Sequence, residues 1–209
     1  YNLKFYEKYS SLISDLILSK ISTKKKVIVL DCDNTLWGGV LVEDGINKIK
    51  INQNDYPGNI YQEVQSLLLD FYNKGVLLCL NTKNNIKDVK EVFKKNSILK
   101  FNHFIDSQCN WNDKVSNLKK ISKNLNLGLE SFIFIDDSDF EINHVKKSLP
   151  EVTCVKVPTL DLYTYPSLIK NLSKITLSNS LTDEDKKKNE FYKLNKKRQV
   201  SKNTFKNLD

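Results

Sequence analysis

The hydrophobic positions of this chain follow two alternating spacings along most of its length. Short apolar runs, typical of strands buried on both faces, occur at 27–30, 76–80 and 152–157. Shorter strands are predicted at 104–106 and 132–136. Between the strands, apolar residues recur every three or four positions, which predicts helices near 60–71, 86–95, 113–125 and 164–175. Alternating strands and helices form parallel βαβ units, so we predict an α/β fold with an open parallel sheet and helices on both faces.

Three further segments lie outside this alternation. Residues 1–24 have helical spacing, and residues 179–209 combine a possible N-cap and early acids with many Lys, so we predict a helix at each end of a catalytic domain that spans 25–178. Residues 36–58 are polar and Gly-rich, which predicts a short hairpin flap rather than core or a large cap domain. Because the sequence opens on Tyr1 within a helical pattern, we expect the chain to have been cut from a longer protein.

Charge is unevenly distributed along the 209 residues. The formal net charge is +8, and residues 186–209 hold eight Lys and Arg198 against Glu190 and Asp209. A basic helix is most often a solvated face, although it also suits an acidic partner. A segment in which Lys greatly outnumbers Arg and aromatic residues is a poor nucleic-acid signature, so we expect no nucleic-acid partner. The lack of a long apolar stretch or a signal pattern predicts no membrane association and a cytoplasmic protein.

The four cysteines do not form a recognisable framework. Cys79 and Cys154 lie inside apolar runs, where a free Cys is usually a small buried hydrophobe. No CxxC pair occurs, and His103 and His144 are too few to complete a structural zinc site. We therefore expect reduced thiols.

Polar side chains follow several predicted strands at the point where each strand ends. Asp31 and Asp33 follow the first strand, Thr82 follows the second, and Asp136 and Asp137 end the fourth. Lys114 opens the helix that precedes the fourth strand. In an open α/β sheet, ligands bind outside the carboxyl ends of the strands. Clustered acids with a hydroxyl and an ammonium group therefore predict a site for a divalent cation and a phosphoryl group.

These residues resemble a known set of motifs. Asp31-x-Asp33-x-Thr35, Thr82, Lys114 and Asp136-Asp137-x-x-x-Glu141 are similar to the four motifs of the haloacid dehalogenase (HAD) superfamily. Within it, the stretches Leu30–Gly39, Glu43–Gly45, Thr82–Asn84, Asn110–Lys114 and Phe134–Asp137 resemble the FkbH-like subfamily. The similarity runs from about residue 25 to about residue 198. Val42 departs from it where the family tends to have Gly, which affects only the expected conformation of the flap.

The resemblance implies a Rossmann-like fold and a role for each motif residue. Asp31 would be the nucleophile and a magnesium ligand, and Asp33 would be the general acid/base and bind magnesium through its backbone carbonyl. Thr82 and Lys114 would hold the phosphoryl oxygens, and Asp136 and Asp137 would complete the magnesium shell. Glu141 would orient Lys114 or a metal-bound water. The expected substrate-binding residues are Asn34, Thr35, Trp37, Gly38, Gly39, Thr82, Lys83, Asn84 and Lys114.

The subfamily resemblance also implies a substrate and a partner. The enzyme would dephosphorylate 1,3-bisphosphoglycerate, or a similar acyl phosphate, and transfer the glyceryl unit through a thioester to an acyl carrier protein in polyketide biosynthesis. Cys32 is the first candidate for the acyl-carrying nucleophile, although strand geometry points it away from Asp31 and Asp33 and both acids would raise its pKa. Cys109 is the second candidate. A small-molecule phosphatase without acyl transfer and a non-catalytic docking module remain the alternatives.

Overall fold

The computed structural model describes residues 6, 9, 10, 24–95, 97–176, 191, 192 and 194. Five parallel strands form one sheet in the order β3-β2-β1-β4-β5. The strands are β1 (Val27–Leu30), β2 (Leu77–Thr82), β3 (Phe104–Cys109), β4 (Phe132–Asp136) and β5 (Thr153–Lys156). The central strand pairs with both neighbours in register, so that Leu30 lies beside Leu80 of β2 and Ile135 of β4. The predicted α/β fold with an open parallel sheet is confirmed.

Helices connect the strands as the apolar spacing predicted. They are α1 (Leu41–Asp44), α2 (Gly58–Asn73), α3 (Ile86–Lys94), α4 (Lys114–Leu125), α5 (Asp139–Ser148), α6 (Tyr165–Asn171) and α7 (Ser173–Thr176). Single turns of 3₁₀ helix precede β3, β4 and α6. Gly75 follows α2 with φ +85°, a left-handed conformation that Gly adopts without steric cost, and the chain then turns into β2.

The core has two layers because successive strand residues face opposite sides of the sheet. Ile28 and Leu30 of β1 pack with apolar residues of α2, α3 and α6. Val27 and Val29 pack on the other side, with α4 and α5. Helices therefore cover both faces of the sheet.

The segment at 36–58 differs from the predicted hairpin. Its two ends are joined by one antiparallel bridge, in which the backbones of Gly38 and Lys50 exchange hydrogen bonds of 2.9 and 2.8 Å. The short helix α1 lies between them. The expectation that the segment is too polar for the core was wrong, because Leu36 and Trp37 are fully buried. We call residues 36–51 the flap loop. Its apolar side chains anchor the loop to the core, while its polar residues and glycines form the turns.

Several predictions lie outside the described residues. The helix expected within 1–24 and the basic helix expected within 179–209 fall almost entirely in segments that the structure does not describe. In the part of the chain that is described, no helix is both long and apolar enough to cross a membrane. All four cysteines are free thiols.

Candidate active site

Three of the motif residues are brought together by the order of the strands. Asp31 directly follows β1 and extends its ladder, with its backbone N–H donating to the Ile135 carbonyl at 3.0 Å. Thr82 is the last residue of β2 and Asp136 the last of β4, the two neighbours of β1. Because parallel strands end at the same edge, these side chains meet at the carboxyl end of the sheet.

Lys114 is the cation of this cluster. Its Nζ lies 2.6 Å from Oδ1 of Asp31 and 2.5 Å from Oδ2 of Asp136, and all three side chains are at most 8% exposed. Burial alone would lower the pKa of Lys114, but the two carboxylates outweigh it and the net shift is upward. Burial, followed by the charge of Asp31, raises the pKa of Asp136. One ammonium group thus bridges two carboxylates in a site of low dielectric constant.

The start of α4 is fixed by a network of buried amides that the sequence did not reveal. The Asn81 side chain donates to the Lys114 carbonyl at 3.0 Å, and Asn117 donates to the side-chain oxygens of Asn81 and Asn110 at 3.0 Å each. Asp113 caps the helix by accepting from the Ser116 backbone N–H at 2.9 Å. These bonds hold Lys114 at a defined height above the sheet. Asn is so common in this chain that its type alone gave no signal.

Asp33 accepts hydrogen bonds on both of its carboxylate oxygens. Oδ1 accepts from Trp37 Nε1 at 3.0 Å and from the Leu41 backbone N–H at 3.1 Å. Oδ2 accepts from Asn84 Nδ2 at 2.9 Å. Burial raises the pKa of Asp33, and the hydrogen bond from Asn84 opposes that shift. Asp33 is therefore held by the flap loop on one side and by the end of β2 on the other.

Asn34 connects the flap loop to the second pair of acids. Its Oδ1 accepts from the Gly39 backbone N–H at 2.9 Å, and its side chain hydrogen-bonds Asp137. Its backbone lies in the left-handed region at φ +48°, which Asn tolerates better than most residues. Tyr61 of α2 donates to the Asn34 carbonyl at 3.3 Å. Burial, followed by the charge of Asp31, raises the pKa of Asp137.

The remaining predicted substrate-binding residues have structural contacts of their own. Thr35 and Trp37 are fully buried, and the indole N–H of Trp37 is already donated to Asp33. A Cβ at Gly39, where φ is +102°, would come within 2.9 Å of the Asp44 carboxylate, and one at Gly38 would approach Lys50 and Tyr61 at 3.1 Å. Packing within the flap loop and against α2 thus accounts for both glycines.

Two polar contacts lie at the rim of the site, and the first differs from expectation. Glu141 does not reach Lys114; its Oε1 lies 2.6 Å from Nζ of Lys83, which is 43% exposed. Because the Glu141 side chain starts from the first turn of α5 and Lys83 from the loop after β2, this pair spans the mouth of the site. His144 of α5 pairs with Asp113 at 2.9 Å and braces the start of α4 in the same way.

The two thiols of the site differ in accessibility. Cys32 is fully buried, and burial, followed by the charge of Asp31, raises its pKa well above the usual range despite a hydrogen bond from Thr82. Cys109, the last residue of β3, is only partly buried. Its pKa is raised to about 12, mainly by burial. Of these two thiols, Cys109 is the one with access to solvent.

The donor set is suited to a hard divalent cation. Asp31, Asp136, Asp137 and the Asp33 backbone supply oxygen ligands only, as Mg²⁺ prefers. Their carboxylates outnumber the one ammonium group of Lys114, which leaves negative charge for a cation to neutralise. Within 24–95 and 97–176, however, no three acidic, His or Cys side chains converge closely enough to form a ready-made centre.

A cavity of about 670 Å³ lies away from these acids, at the edge strand β5. Residues of β5, α6 and α7 line it, among them Cys154, Lys156 and Leu168. The described residues around it include no carboxylate or imidazole, whereas the strand ends gather acids, an ammonium group and hydroxyls. We therefore place the functional site at the strand ends.

A protein of known structure shares both the fold and much of the sequence. The N-terminal part of the protein BF1531 from Bacteroides fragilis, which contains a phosphatase domain and was crystallised with Mg, is 32% identical with a TM-score of 0.74. The match covers 81% of this chain and 45% of that one, so the chain spans less than half of the relative. The fold and the placement of the four motifs therefore support the haloacid dehalogenase superfamily.

Other solved structures are more distant. A HAD family enzyme from Bacteroides thetaiotaomicron, in complex with magnesium and inorganic phosphate, is 14% identical over 63% of this chain and 93% of its own, with a TM-score of 0.43. The 3-deoxy-D-manno-octulosonate 8-phosphate phosphatase from Moraxella catarrhalis is 16% identical over 73% of this chain and 87% of its own, also with a TM-score of 0.43. No protein-family model matches the chain, and no curated protein does.

Proposed function

We propose that this chain is a magnesium-dependent phosphohydrolase of the haloacid dehalogenase type, with Asp31 as its nucleophile. The observation that carries the proposal is the position of Lys114, whose ammonium group bridges the carboxylates of Asp31 and Asp136 in a buried site at the strand ends. Buried acids and a buried amine at this edge of an α/β sheet are typical of a catalytic centre. The magnesium bound to the similar phosphatase domain supports the choice of cation.

The oxygen donors assign the residues that would hold the metal. Asp31, Asp136 and Asp137 would bind through carboxylates and Asp33 through its backbone carbonyl. When bound, Mg²⁺ would neutralise charge on the phosphoryl oxygens and keep the nucleophilic carboxylate ionised. Lys114 would then release one carboxylate oxygen and take up charge on the phosphoryl group.

Hydrolysis would proceed in two steps on the side chains of this chain. A carboxylate oxygen of Asp31 attacks phosphorus, the bond from phosphorus to the leaving oxygen breaks, and Asp33 gives its proton to that oxygen. Water then attacks phosphorus, the bond to Asp31 breaks, and Asp33 takes the proton of the water. Thr82, the last residue of β2, would donate its hydroxyl hydrogen to a phosphoryl oxygen.

We further propose that the substrate is 1,3-bisphosphoglycerate or a similar acyl phosphate, and that the acyl unit passes to an acyl carrier protein. The similarity of the motif stretches to the FkbH-like subfamily supports this. In the acyl step, a thiolate attacks the acyl carbon, the carbon–oxygen bond to phosphate breaks, and inorganic phosphate leaves as the thioester forms. Both thiols of the site remain candidates, and accessibility favours Cys109 over Cys32.

Exposed apolar side chains around the site support a protein partner. Among residues 24–95 and 97–176, every large apolar residue that is strongly exposed lies in a loop or helical turn that follows a strand. These residues are Val42, Tyr56, Ile86, Trp111, Phe140, Leu160 and Tyr163. Exposed apolar groups gathered on one surface mark interaction sites more often than isolated ones do. All of them lie at the end of the molecule that carries Asp31, where a carrier protein would have to deliver its prosthetic arm.

Two measurements test the phosphatase activity and the acyl transfer: the release of phosphate and intact-protein mass spectrometry. The chain is incubated with Mg²⁺ and 1,3-bisphosphoglycerate beside its Asp31→Asn, Cys32→Ala and Cys109→Ala variants. We expect the unaltered chain to release both phosphates. Asp31→Asn should abolish release of the ester phosphate, whereas release of the acyl phosphate should accompany a hydroxylamine-labile acyl adduct that one Cys variant lacks. Phosphate release without an adduct would leave a phosphatase and contradict the acyl step. Equal phosphate release by Asp31→Asn and the unaltered chain would contradict the proposed nucleophile.

A further inference from the structure

Asn84 is a buried amide that contacts two of the proposed catalytic residues. It is 1% exposed, and its Nδ2 lies 2.9 Å from Asp33 Oδ2 and 3.0 Å from Thr82 Oγ1. Its Oδ1 is buried without a hydrogen-bond partner in the described structure. An amide nitrogen has two hydrogens, and both are engaged. Asn84 therefore has no N–H left to donate to a phosphoryl oxygen, which argues against the substrate-binding role that the sequence predicted.

The two carboxylate oxygens of Asp33 have different surroundings. Oδ1 accepts from Trp37 Nε1 and from the Leu41 backbone N–H, so both of its lone pairs are occupied by donors of the flap loop. Oδ2 accepts from Asn84 alone in the described structure, which leaves it one lone pair. Only Oδ2 can carry a proton without losing a hydrogen bond that the structure shows.

From these contacts we infer that Asn84 is a positioning residue that holds Asp33 Oδ2 beside Thr82 Oγ1 for proton transfer to the leaving oxygen. The inference rests on the proposed function, because it assumes that Thr82 binds the phosphoryl group and that Asp33 is the acid. One amide group contacts both, so it fixes the distance between the proton donor and the phosphoryl oxygens. Without it, Oδ2 turns about the side-chain torsions of Asp33, and the flap loop alone holds the carboxyl group.

Dependence on the leaving group separates this role from simple structural support. An alkyl phosphate needs a proton on its leaving oxygen, whereas p-nitrophenyl phosphate releases a stable phenolate and needs little help from an acid. A residue that positions the acid affects the first substrate selectively. A residue that binds phosphate or stabilises the fold affects both substrates alike.

The experiment compares kcat/KM of the full chain and its variants for glycerol 2-phosphate and p-nitrophenyl phosphate, with Mg²⁺ present. For Asn84→Ala, we expect the loss on the alkyl substrate to exceed the loss on the aryl substrate at least about tenfold, as general acid catalysis implies. KM should change little on either substrate. Asn84→Ser is measured in parallel, so that a failure of the alanine variant to fold does not decide the outcome. Asn85→Ala is the matched control, because Asn85 is exposed and makes no side-chain cap bond to α3.

The possible results distinguish the positioning role of Asn84 from the phosphohydrolase activity itself. Equal losses on both substrates, or a loss confined to KM, would overturn the positioning role while leaving the phosphohydrolase proposal intact. Wild-type chain that hydrolyses neither substrate would contradict the proposed function, and the inference would fail with it. A selective loss in the Asn85→Ala control would also overturn the assignment to Asn84.

Discussion

At the residue scale, the defining feature of this protein is one ammonium group held between two buried carboxylates. Replacing a buried cation leaves its partners charged and unpaired, which costs more free energy than the pair contributed. Here two acids depend on the same Lys114, while Asp137 stands next to one of them along the chain. The site therefore balances charge only with a cation at or near the position of Lys114.

Replacement of Lys114 by Met tests this balance. In magnesium-free buffer, we expect Lys114→Met to lower the free energy of unfolding by about 3 kcal/mol, the cost of breaking a buried ion pair. Added Mg²⁺ should restore part of that loss, because a cation can again neutralise Asp31 and Asp136. Urea denaturation with and without Mg²⁺ measures both effects. Lys120→Met, at an exposed position of the same helix, is the control, and an equal response of the two variants to Mg²⁺ would contradict the account.

The sequence predicted the charged residues of the cluster but not what holds them. Strand-end acids and Lys114 carry a chemical signal in their type and spacing. The amides of Asn81 and Asn117 carry none, because Asn is frequent throughout the chain and only the folded structure brings these two together with Asn110 of the motif stretch. The Lys83–Glu141 pair likewise depends on how α5 lies against the end of β2, which local spacing does not encode.

At the element scale, the flap loop is both an anchor of the core and a support for Asp33. Trp37 packs edge-on against Phe93 of α3, with ring centroids 5.6 Å apart, and its indole N–H reaches Asp33. Leu41, at the start of α1, adds a backbone N–H to the same oxygen. A change in the position of the loop therefore changes the position of the carboxyl group as well.

Trp37→Phe tests whether the flap loop both anchors the core and supports Asp33. Phenylalanine keeps an aromatic ring in the core but removes the N–H donor, so we expect a loss of about 1–3 kcal/mol in the free energy of unfolding, from the lost hydrogen bond and imperfect packing. We also expect a lower kcat for phosphate release. Denaturation and steady-state kinetics measure the two effects. Trp111→Phe is the matched control, since Trp111 is 61% exposed and should change stability by less than about 0.5 kcal/mol. Similar stability losses in both variants would contradict the anchoring role.

Regular elements were more predictable than the flap loop for a physical reason. A run such as Val27–Leu30 is apolar throughout because helices cover both of its faces, so its sequence and its burial agree. In the flap loop, Leu36, Trp37 and Leu41 are buried among Gly and acidic residues that form turns. The apolar residues of such a segment do not recur at a fixed spacing. The burial predicted for the flap loop from its composition alone was therefore wrong.

At the scale of the whole molecule, the strand order determines where chemistry can occur. The central strand β1 lies between β2 and β4, so their ends deliver Asp31, Thr82 and Asp136 to one point from three distant parts of the sequence. The exposed apolar residues of 24–95 and 97–176 lie in the segments that follow the five strands, at this same end of the sheet. One end of the sheet thus combines the reactive groups with the surface that we propose a carrier protein contacts.

The most direct test of the central claim is the release of phosphate from p-nitrophenyl phosphate by purified chain with Mg²⁺. The chain is compared with Asp31→Asn and with Asp70→Asn, a control at an exposed position of α2. We predict release by the unaltered chain and the control, and a loss of at least about 100-fold in Asp31→Asn, because the nucleophile is removed. Loss of activity on chelation of Mg²⁺ should match that of the variant. Release by Asp31→Asn at the rate of the control would contradict the assignment of Asp31 as the nucleophile and, with it, the proposed mechanism.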